Sequence, residues 1–514
     1  MKNSGRTRRV SGQRSPRKAW LAAAWLAAVL AGGPAARAGE LEVYNLSGRP
    51  VTCLIDGYTK ASGADATVPF RVEPGQTLRI PPAAGSKDRV LNTADCGGLQ
   101  TRAMNITPES PDRVLFLNGR QRRVLNVLLY ASIPTDPRTG FTAMIRWLAS
   151  TYQAAHSDVL LNLVIDPSID VYSFSSLRDN VLAAKGFDVA EIDTVFLRWL
   201  KDNQLITPAR ITGDEPLAVA RAAATIDGQP YGVPSWLCSD FLFSTERDMA
   251  GIRTFPDLQA YLDKTGAARR GLVGDLNGTW TTPALYLQAH VQNHPDGTAE
   301  AAAAAPIDSG VIKRIAKFGG NCSLLNVDPC IDGTFHDAAD GAVEKDFLSE
   351  RAATDLGFSE RSFFLAYFQT MPASLSLTPL PWGDKADAPR LVYSDAFVTN
   401  RAACGKDPCG ADAAAFTAFM TSASTKKYIA LAKDLPGGDP ARHLIVATKP
   451  FYDDEEVKGD PVYAQLASGF LRGNLQPYLT SFTPKLQYDL LSGICPVLRQ
   501  ESPGWKCKVP KKPE

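Results

Sequence analysis

Val124–Tyr130 reads VLNVLLY, Phe141–Ala154 reads FTAMIRWLASTYQA, and Val159–Ile165 reads VLLNLVI. The first and third runs are continuously apolar, as strands buried on both faces of a parallel sheet must be. The run between them carries its apolar residues at helical spacing. Beyond them the alternation repeats, with a helix predicted over Ser176–Ala184, a strand over Phe187–Asp193 and a helix over Val195–Leu205. Strand–helix alternation of this kind implies an α/β sheet whose ligands gather at the carboxyl ends of the strands. Asp193 stands at such an end, where it serves either as a ligand contact or as a helix N-cap.

Upstream the pattern is different. LEVYNLSG, VTCLIDG, ATVPFRVEPGQTLRIPP and RVLFLNG are short β-branched runs punctuated by Gly, Pro and Asn. That spacing predicts a small β-sandwich or barrel over 39–120, an accessory module with no chemical constellation of its own. Further upstream, Met1–Lys18 is basic and free of acidic residues, Ala19–Gly33 is apolar, and Ala36-Arg37-Ala38 precedes Gly39. A basic segment, a short apolar run and a small-x-small site describe a secretory leader cleaved after Ala38. The expected organisation is therefore leader 1–38, β module 39–120 and an α/β region 121–514, in a secreted or periplasmic protein.

The whole chain has 514 residues, 45 % of them hydrophobic and 21 % charged, with a formal net charge of +1. Apolar content on this scale offsets the entropy of ordering and excludes a disordered chain. Near-zero net charge excludes a nucleic-acid or anionic-membrane binder. The reading is of a monomer with a compact ligand, no nucleic-acid partner and no membrane contact after the leader is removed.

Nine cysteines cannot all pair within one chain. Eight form sequence-local couples, Cys53/Cys96, Cys322/Cys330, Cys404/Cys409 and Cys495/Cys507, mostly among turn-forming residues. Eight cysteines permit 105 connectivities, so proximity leaves the pairing open. Cys238 is left over, in YGVPSWLCSDFLF among aromatic and aliphatic residues. An unpaired thiol in an exported protein is either buried and inert or kept free for reaction. His290 and His294 lie at i, i+4, but no H-E-x-x-H spacing is present and Pro295 ends the helix, so no metal site is expected.

Tyr231-Gly-Val-Pro followed by LCSDFLFSTERD is similar to the crossover by which periplasmic solute-binding proteins pass from one lobe to the next. A helix over Phe255–Lys264, a long middle section and a late return fit a hinged pair of lobes. Leu356-Gly357-Phe358-Ser359-Glu360 and Val392-Tyr393-Ser394-Asp395 each place a carboxylate beside an aromatic at the close of an apolar run. Solvated or capping carboxylates are the other reading of these positions.

Together, Tyr130-Ala-Ser-Ile-Pro134, Asp193-Thr-Val-Phe-Leu197, Tyr231-Gly-Val-Pro with Leu237-Cys238, Gly278-Thr279 with Tyr286-Leu287, Gly357-Phe358-Ser359-Glu360 and Tyr393-Ser394-Asp395 resemble the bacterial thiaminase I family. Order and approximate spacing agree over residues 123–490. The resemblance implies an α/β, two-lobed, periplasmic-binding-protein-like (type 2) fold, here with an additional small N-terminal β domain. It also implies replacement of the thiazole of thiamine by another nucleophile, an aromatic amine or a thiol, without a cofactor. Cys238 would then be the nucleophile and Glu360 its general base. Asp395, Tyr393, Asp193, Phe358, Trp236 and Tyr172 would line the substrate pocket. Phe358 stands where the family pattern has Tyr, which keeps stacking and loses a hydroxyl; Ser132 stands where an aromatic is expected. A thiol with an ordinary pKa of about 8.5 needs a base to become a thiolate, and a carboxylate raised by burial suits that task. A solute-binding protein for thiamine or a related heterocycle, without turnover, would use nearly the same cleft.

Overall fold

In the computed structural model, residues 39–513 are described apart from short stretches at 60–64, 81–92, 103–111, 137–139, 247–248, 250, 267–268, 337–340, 369–374, 436 and 438. The expected leader, 1–38, lies outside the described residues.

In chain order the strands are β1 (Leu41–Asn45), β2 (Val51–Thr59), β3 (Asp65–Val72), β4 (Thr77–Ile80), β5 (Thr93–Cys96), β6 (Arg113–Leu117), β7 (Arg123–Leu128), β8 (Val159–Val164) and β9 (Val189–Asp193). There follow β10 (Thr225–Ile226), β11 (Gln229–Pro230), β12 (Val233–Cys238), β13 (Phe241–Ser244), β14 (Arg270–Val273), β15 (Ala352–Gly357), β16 (Ser376–Pro379), β17 (Arg390–Thr399), β18 (Ile445–Val446) and β19 (Leu475–Pro477).

The first lobe is a mixed sheet in the order β18-β12-β17-β9-β7-β8, with β19 paired to β17. β7 pairs in parallel with both β8 and β9, and every residue of β8 is buried. This is the two-faced burial that the continuous apolar runs required. The helix Thr142–Ala155 packs on the sheet through Met144, Ile145, Leu148, Ala149 and Tyr152. Two expected helices are shorter than their patterns. Over 174–181 a single α-turn runs into a π-turn, with the Leu182 N–H reaching back to the Leu177 carbonyl. That wider turn lets both Leu177 and Val181 sit fully buried. After β9, a 3₁₀ turn at Thr194–Phe196 leads into a helix over Leu197–Asp202, which stops where Gln204 adopts φ 57°.

The second lobe is the sheet β14-β15-β13-β16. The segment 233–244 is not one continuous strand: it is interrupted at Ser239–Asp240, and β12 and β13 belong to different sheets. The chain returns between β16 and β17. These two crossovers lie side by side: the Leu380 N–H donates to the Asp240 carbonyl at 2.9 Å, and the Ser239 hydroxyl donates to the Leu391 carbonyl at 3.2 Å. A further passage, 478–483, leads from β19 to the helix Pro484–Glu501, which packs against the helices Thr281–Asn293 and Ser309–Gly320.

The four local cysteine couples are all bridged, and Cys238 is free. At the N-terminus, the sheets β4-β1-β6 and β3-β2-β5 enclose a small core that includes the Cys53–Cys96 bridge and borrows Leu160 from β8. Leu160 faces that core from the outermost strand of the first lobe, so the module covers a sheet edge that would otherwise invite pairing with another chain. Arg113–Asp166, at 3.2 Å and buried on both sides, and Arg146–Glu42, with Nε to Oε2 at 2.8 Å, tie module and lobe together.

Candidate functional site

The strand ladder builds the site from the first-lobe side. β17 runs antiparallel between β9 and β12, and its register places Asp395 opposite both Asp193 and Trp236, with Tyr393 opposite Cys238. Cys238 is the last residue of β12, immediately before the Ser239–Asp240 crossover. Asp193 closes β9, and its Oδ1 accepts the Val195 N–H at 2.9 Å. The two readings of Asp193 are compatible: one oxygen caps the following turn while the residue stands at the strand end beside Asp395.

The second lobe supplies Glu360. It lies in the turn between β15 and the helix Arg361–Phe368. A Cβ at Gly357 would sit 2.5 Å from Arg361 Nε and 3.2 Å from Arg361 Cβ, so any larger residue there would displace the Arg361 side chain. The Arg361 side chain folds across that gap to pair with Glu344 and to approach Asp355 at 3.7 Å. Its ion pairs are thus made with other acids, although its charge still favours an ionised Glu360 to some extent.

These carboxylates act on one another and on the thiol. Burial pushes the Cys238 thiol well above its usual value, and the charges of Glu360, Asp395, Asp193 and Asp240 push it further the same way. Burial also raises Glu360. Asp193 is pushed up to about 7 by burial, opposed only by the Val195 N–H. Asp240 reaches about 7 for the same cause, with the Tyr393 hydroxyl donating to it at 3.3 Å. Asp395 is held far above the carboxylate range by burial first, then by Asp193, Glu191 and Glu360; Lys426 opposes them. A partly desolvated thiol acted on by several carboxylates is a setting that suits a cationic ligand.

Aromatic rings line this region. The Tyr130 and Tyr172 hydroxyls are 2.7 Å apart, and Tyr172 packs against Trp280 at 5.6 Å between ring centroids. Phe358, 42 % exposed, meets Tyr393 edge-on at 6.1 Å, and Tyr393 meets Tyr478 at 4.7 Å. Trp236 differs from the other expected contacts. It is 1 % exposed, with the Lys426 ammonium 3.3 Å from its ring centre, and it belongs to the core. A register shift between Pro234 and Trp236 accompanies this placement.

Several participants carried no sequence signal strong enough to single them out. Asp240 follows Cys238 by two residues, and that Cys-x-Asp spacing was the available hint. Lys426 and Glu191 had none. Lys426 is fully buried, its ammonium donates to the Ser235 hydroxyl at 2.5 Å, and Ser235 in turn donates to Glu191, whose other oxygen accepts the Tyr130 N–H at 3.0 Å. Burial lowers Lys426 to about 7 against the pull of Glu191 and Asp395.

A second network braces the Glu360 turn. The Ser362 hydroxyl donates to the Ser359 carbonyl at 2.8 Å and lies 2.6 Å from His443 Nδ1, while His443 Nε2 is 3.2 Å from Asp460. His443 is 2 % exposed and adopts φ 53°. Ser, His and Asp here resemble a hydrolase triad in order only, because Ser362 is fully buried and its proton is engaged with a carbonyl. The network instead joins the turn bearing Glu360 to the segment preceding β18 of the first lobe.

Comparison with solved structures bears on the architecture. Thiaminase I from Bacillus thiaminolyticus superposes with a TM-score of 0.58 at 19 % identity, over 73 % of this chain and 99 % of that one. Clostridium botulinum thiaminase I in complex with thiamin gives 0.58 at 16 % identity, over 73 % and 99 %. Maltose-bound MalE3 of T. maritima gives 0.55 at 13 % identity, over 74 % and 97 %. The chain has the two-lobed periplasmic-binding-protein fold. At such identities the likeness is one of fold, shared by enzymes and sugar-binding proteins alike. No protein-family model matches the sequence, and no curated protein matches it.

Proposed function

We propose that this protein is a thiaminase I-type transferase acting outside the cytoplasm as a monomer, with 39–120 as an accessory module. The observation that carries the reading is Cys238: the one cysteine of nine outside a disulfide, ending β12 at the lobe crossover, under the combined field of four carboxylates. Oxidised neighbours fit an extracytoplasmic setting, and among the described residues no helix is long and apolar enough to cross a membrane.

The chemistry follows from residue types. Thiamine brings a thiazolium cation next to Asp193, Asp395 and Asp240, and that positive charge cancels the field holding the thiol protonated. Glu360, raised by burial, takes the Cys238 proton. The thiolate adds to C6 of the aminopyrimidine, and the ring's electrons expel neutral thiazole from the methylene carbon. The incoming nucleophile bonds to that methylene, its proton passes to a base, and the Cys238–C6 bond breaks to restore the aromatic ring and the thiolate. Covalent capture divides one slow displacement into two easier steps. Aromatic faces at Tyr393, Phe358 and Tyr172 supply stacking and attraction for the cation.

A second reading, a thiamine binder without turnover, is favoured by the strongly raised Cys238 thiol. Incubating the protein with thiamine and aniline and following free thiazole separates the two. The transferase releases thiazole, and Cys238→Ser binds thiamine without releasing it. Tight binding with thiamine intact after prolonged incubation identifies the binder.

A further inference from the structure

His290 and His294 close the helix Thr281–Asn293, His294 being its C-cap residue, and Asp308 is the N-cap of the helix Ser309–Gly320. Pro295 does end the helix, as the sequence indicates, but the chain then returns an acidic residue to the same place. His294 Nε2 lies 3.0 Å from Asp308 Oδ2, and the two imidazoles stand 4.4 Å apart. One ligand atom from each of the three residues falls within 4.8 Å of the others.

The hydrogen-bond accounting points to a missing partner. Asp308 Oδ1 is committed to the Gly310 and Val311 N–H groups at 2.7 and 3.2 Å, which leaves Oδ2 facing the histidines. The Asp308 N–H donates to the Tyr286 hydroxyl at 3.0 Å, fixing the carboxylate from its other side. His290 Nδ1 is buried and has no hydrogen-bond partner among the described residues. A buried imidazole nitrogen without a hydrogen-bond partner is destabilising, and a ligand at this position would relieve it. His294, 51 % exposed at its side chain, leaves the cluster open to solvent for a fourth, water ligand.

We propose that His290, His294 and Asp308 form a divalent-metal site of the zinc class, with water as fourth ligand. Two imidazoles and one carboxylate are the donor set that borderline ions such as zinc accept in tetrahedral geometry. Among the described residues the other two clusters with ligand spacing, Asp188/Cys404/Cys409 and Cys322/Asp328/Cys330, have their sulfurs bridged and offer no thiolate. The metal would join the end of one helix to the start of another across residues 295–307. It lies at the opposite end of the Thr281–Asn293 helix from Trp280, about 20 Å along the axis at 1.5 Å per residue, so it is independent of the thiamine reading.

The test uses the full chain, stripped with chelator and titrated with zinc by calorimetry, with thermal melts in parallel. One zinc per chain and a raised melting midpoint are expected in the wild type. His294→Ala, at an exposed position, and His290→Ala should each weaken binding more than about tenfold and lose the thermal shift. Asp308→Asn, which preserves the helix cap, should do the same with an unchanged metal-free midpoint. Tetrahedral cobalt absorption in the wild type, lost in His294→Ala, reports the ligands directly. Absence of saturable zinc binding, or equal binding by wild type and His294→Ala, overturns the proposal.

Discussion

Asp193 stands directly opposite Asp395 across the β9–β17 ladder. Like charges at cross-strand positions destabilise a sheet, and here Asp395 is buried and Asp193 half-buried, with Glu191 and Glu360 acting on Asp395 as well. A fold holding such a pair is poised for a cation that relieves it.

Relief of that pair sets the pH dependence. Folded-state values of about 7 for Asp193 and Asp240 lie above ordinary carboxylate values, so the folded protein binds protons more tightly than the unfolded chain there. Stability of the ligand-free protein should fall as pH rises from about 4 through about 7. Asp193→Asn should stabilise the ligand-free protein at pH 8 by about 1–2 kcal/mol while weakening thiamine binding. Denaturant melts at several pH values, with and without thiamine, check both halves.

Cation affinity should move oppositely. Deprotonated Asp193 and Asp240 attract thiazolium, so thiamine binding to Cys238→Ser should tighten between about pH 6 and 8. Calorimetry over that range reads the slope; a flat profile argues against these carboxylates as the cation's partners.

Glu360→Gln keeps shape and removes the base. Turnover should fall by about 10²–10⁴-fold, with thiamine affinity changed much less. Steady-state kinetics on the variant, with binding measured separately, separates base catalysis from a merely electrostatic contribution.

His443 touches neither thiol nor crevice, yet it holds the Ser362 end of the Glu360 turn. His443→Ala should lower kcat about tenfold with a smaller change in KM, because a misplaced base costs chemistry more than binding. His443→Gln, able to hydrogen-bond at one end, should recover part of the loss.

The sheet core was legible because burial on both faces leaves an unbroken apolar run, as in VLNVLLY and VLLNLVI. The free thiol was legible because nine cysteines leave one over and three of the four couples are only 5, 8 and 12 residues apart. Less visible were features set by contacts distant in sequence. Asp308 meets His294 only through the fold, and Lys426 sits in a helix whose neighbouring Lys427 is an ordinary surface cation paired with Asp454. Trp236 stood among the pocket residues that the resemblance implies, whereas it lies in the core beneath the Lys426 ammonium.

Phe358 offers a gain-of-contact test. At 42 % exposure there is room for a hydroxyl, so Phe358→Tyr should leave stability within about 0.5 kcal/mol. Thiamine affinity should rise severalfold if the ring edge faces the pyrimidine, as read by calorimetry beside the wild type.

The most direct measurement is the intact mass of protein mixed with thiamine in the absence of added nucleophile, quenched in acid and mapped by peptide. A thiol nucleophile requires one pyrimidinylmethyl adduct per chain, on the peptide containing Cys238, and none on Cys238→Ser. Unmodified Cys238 while thiazole accumulates, or an adduct on another residue, would contradict it.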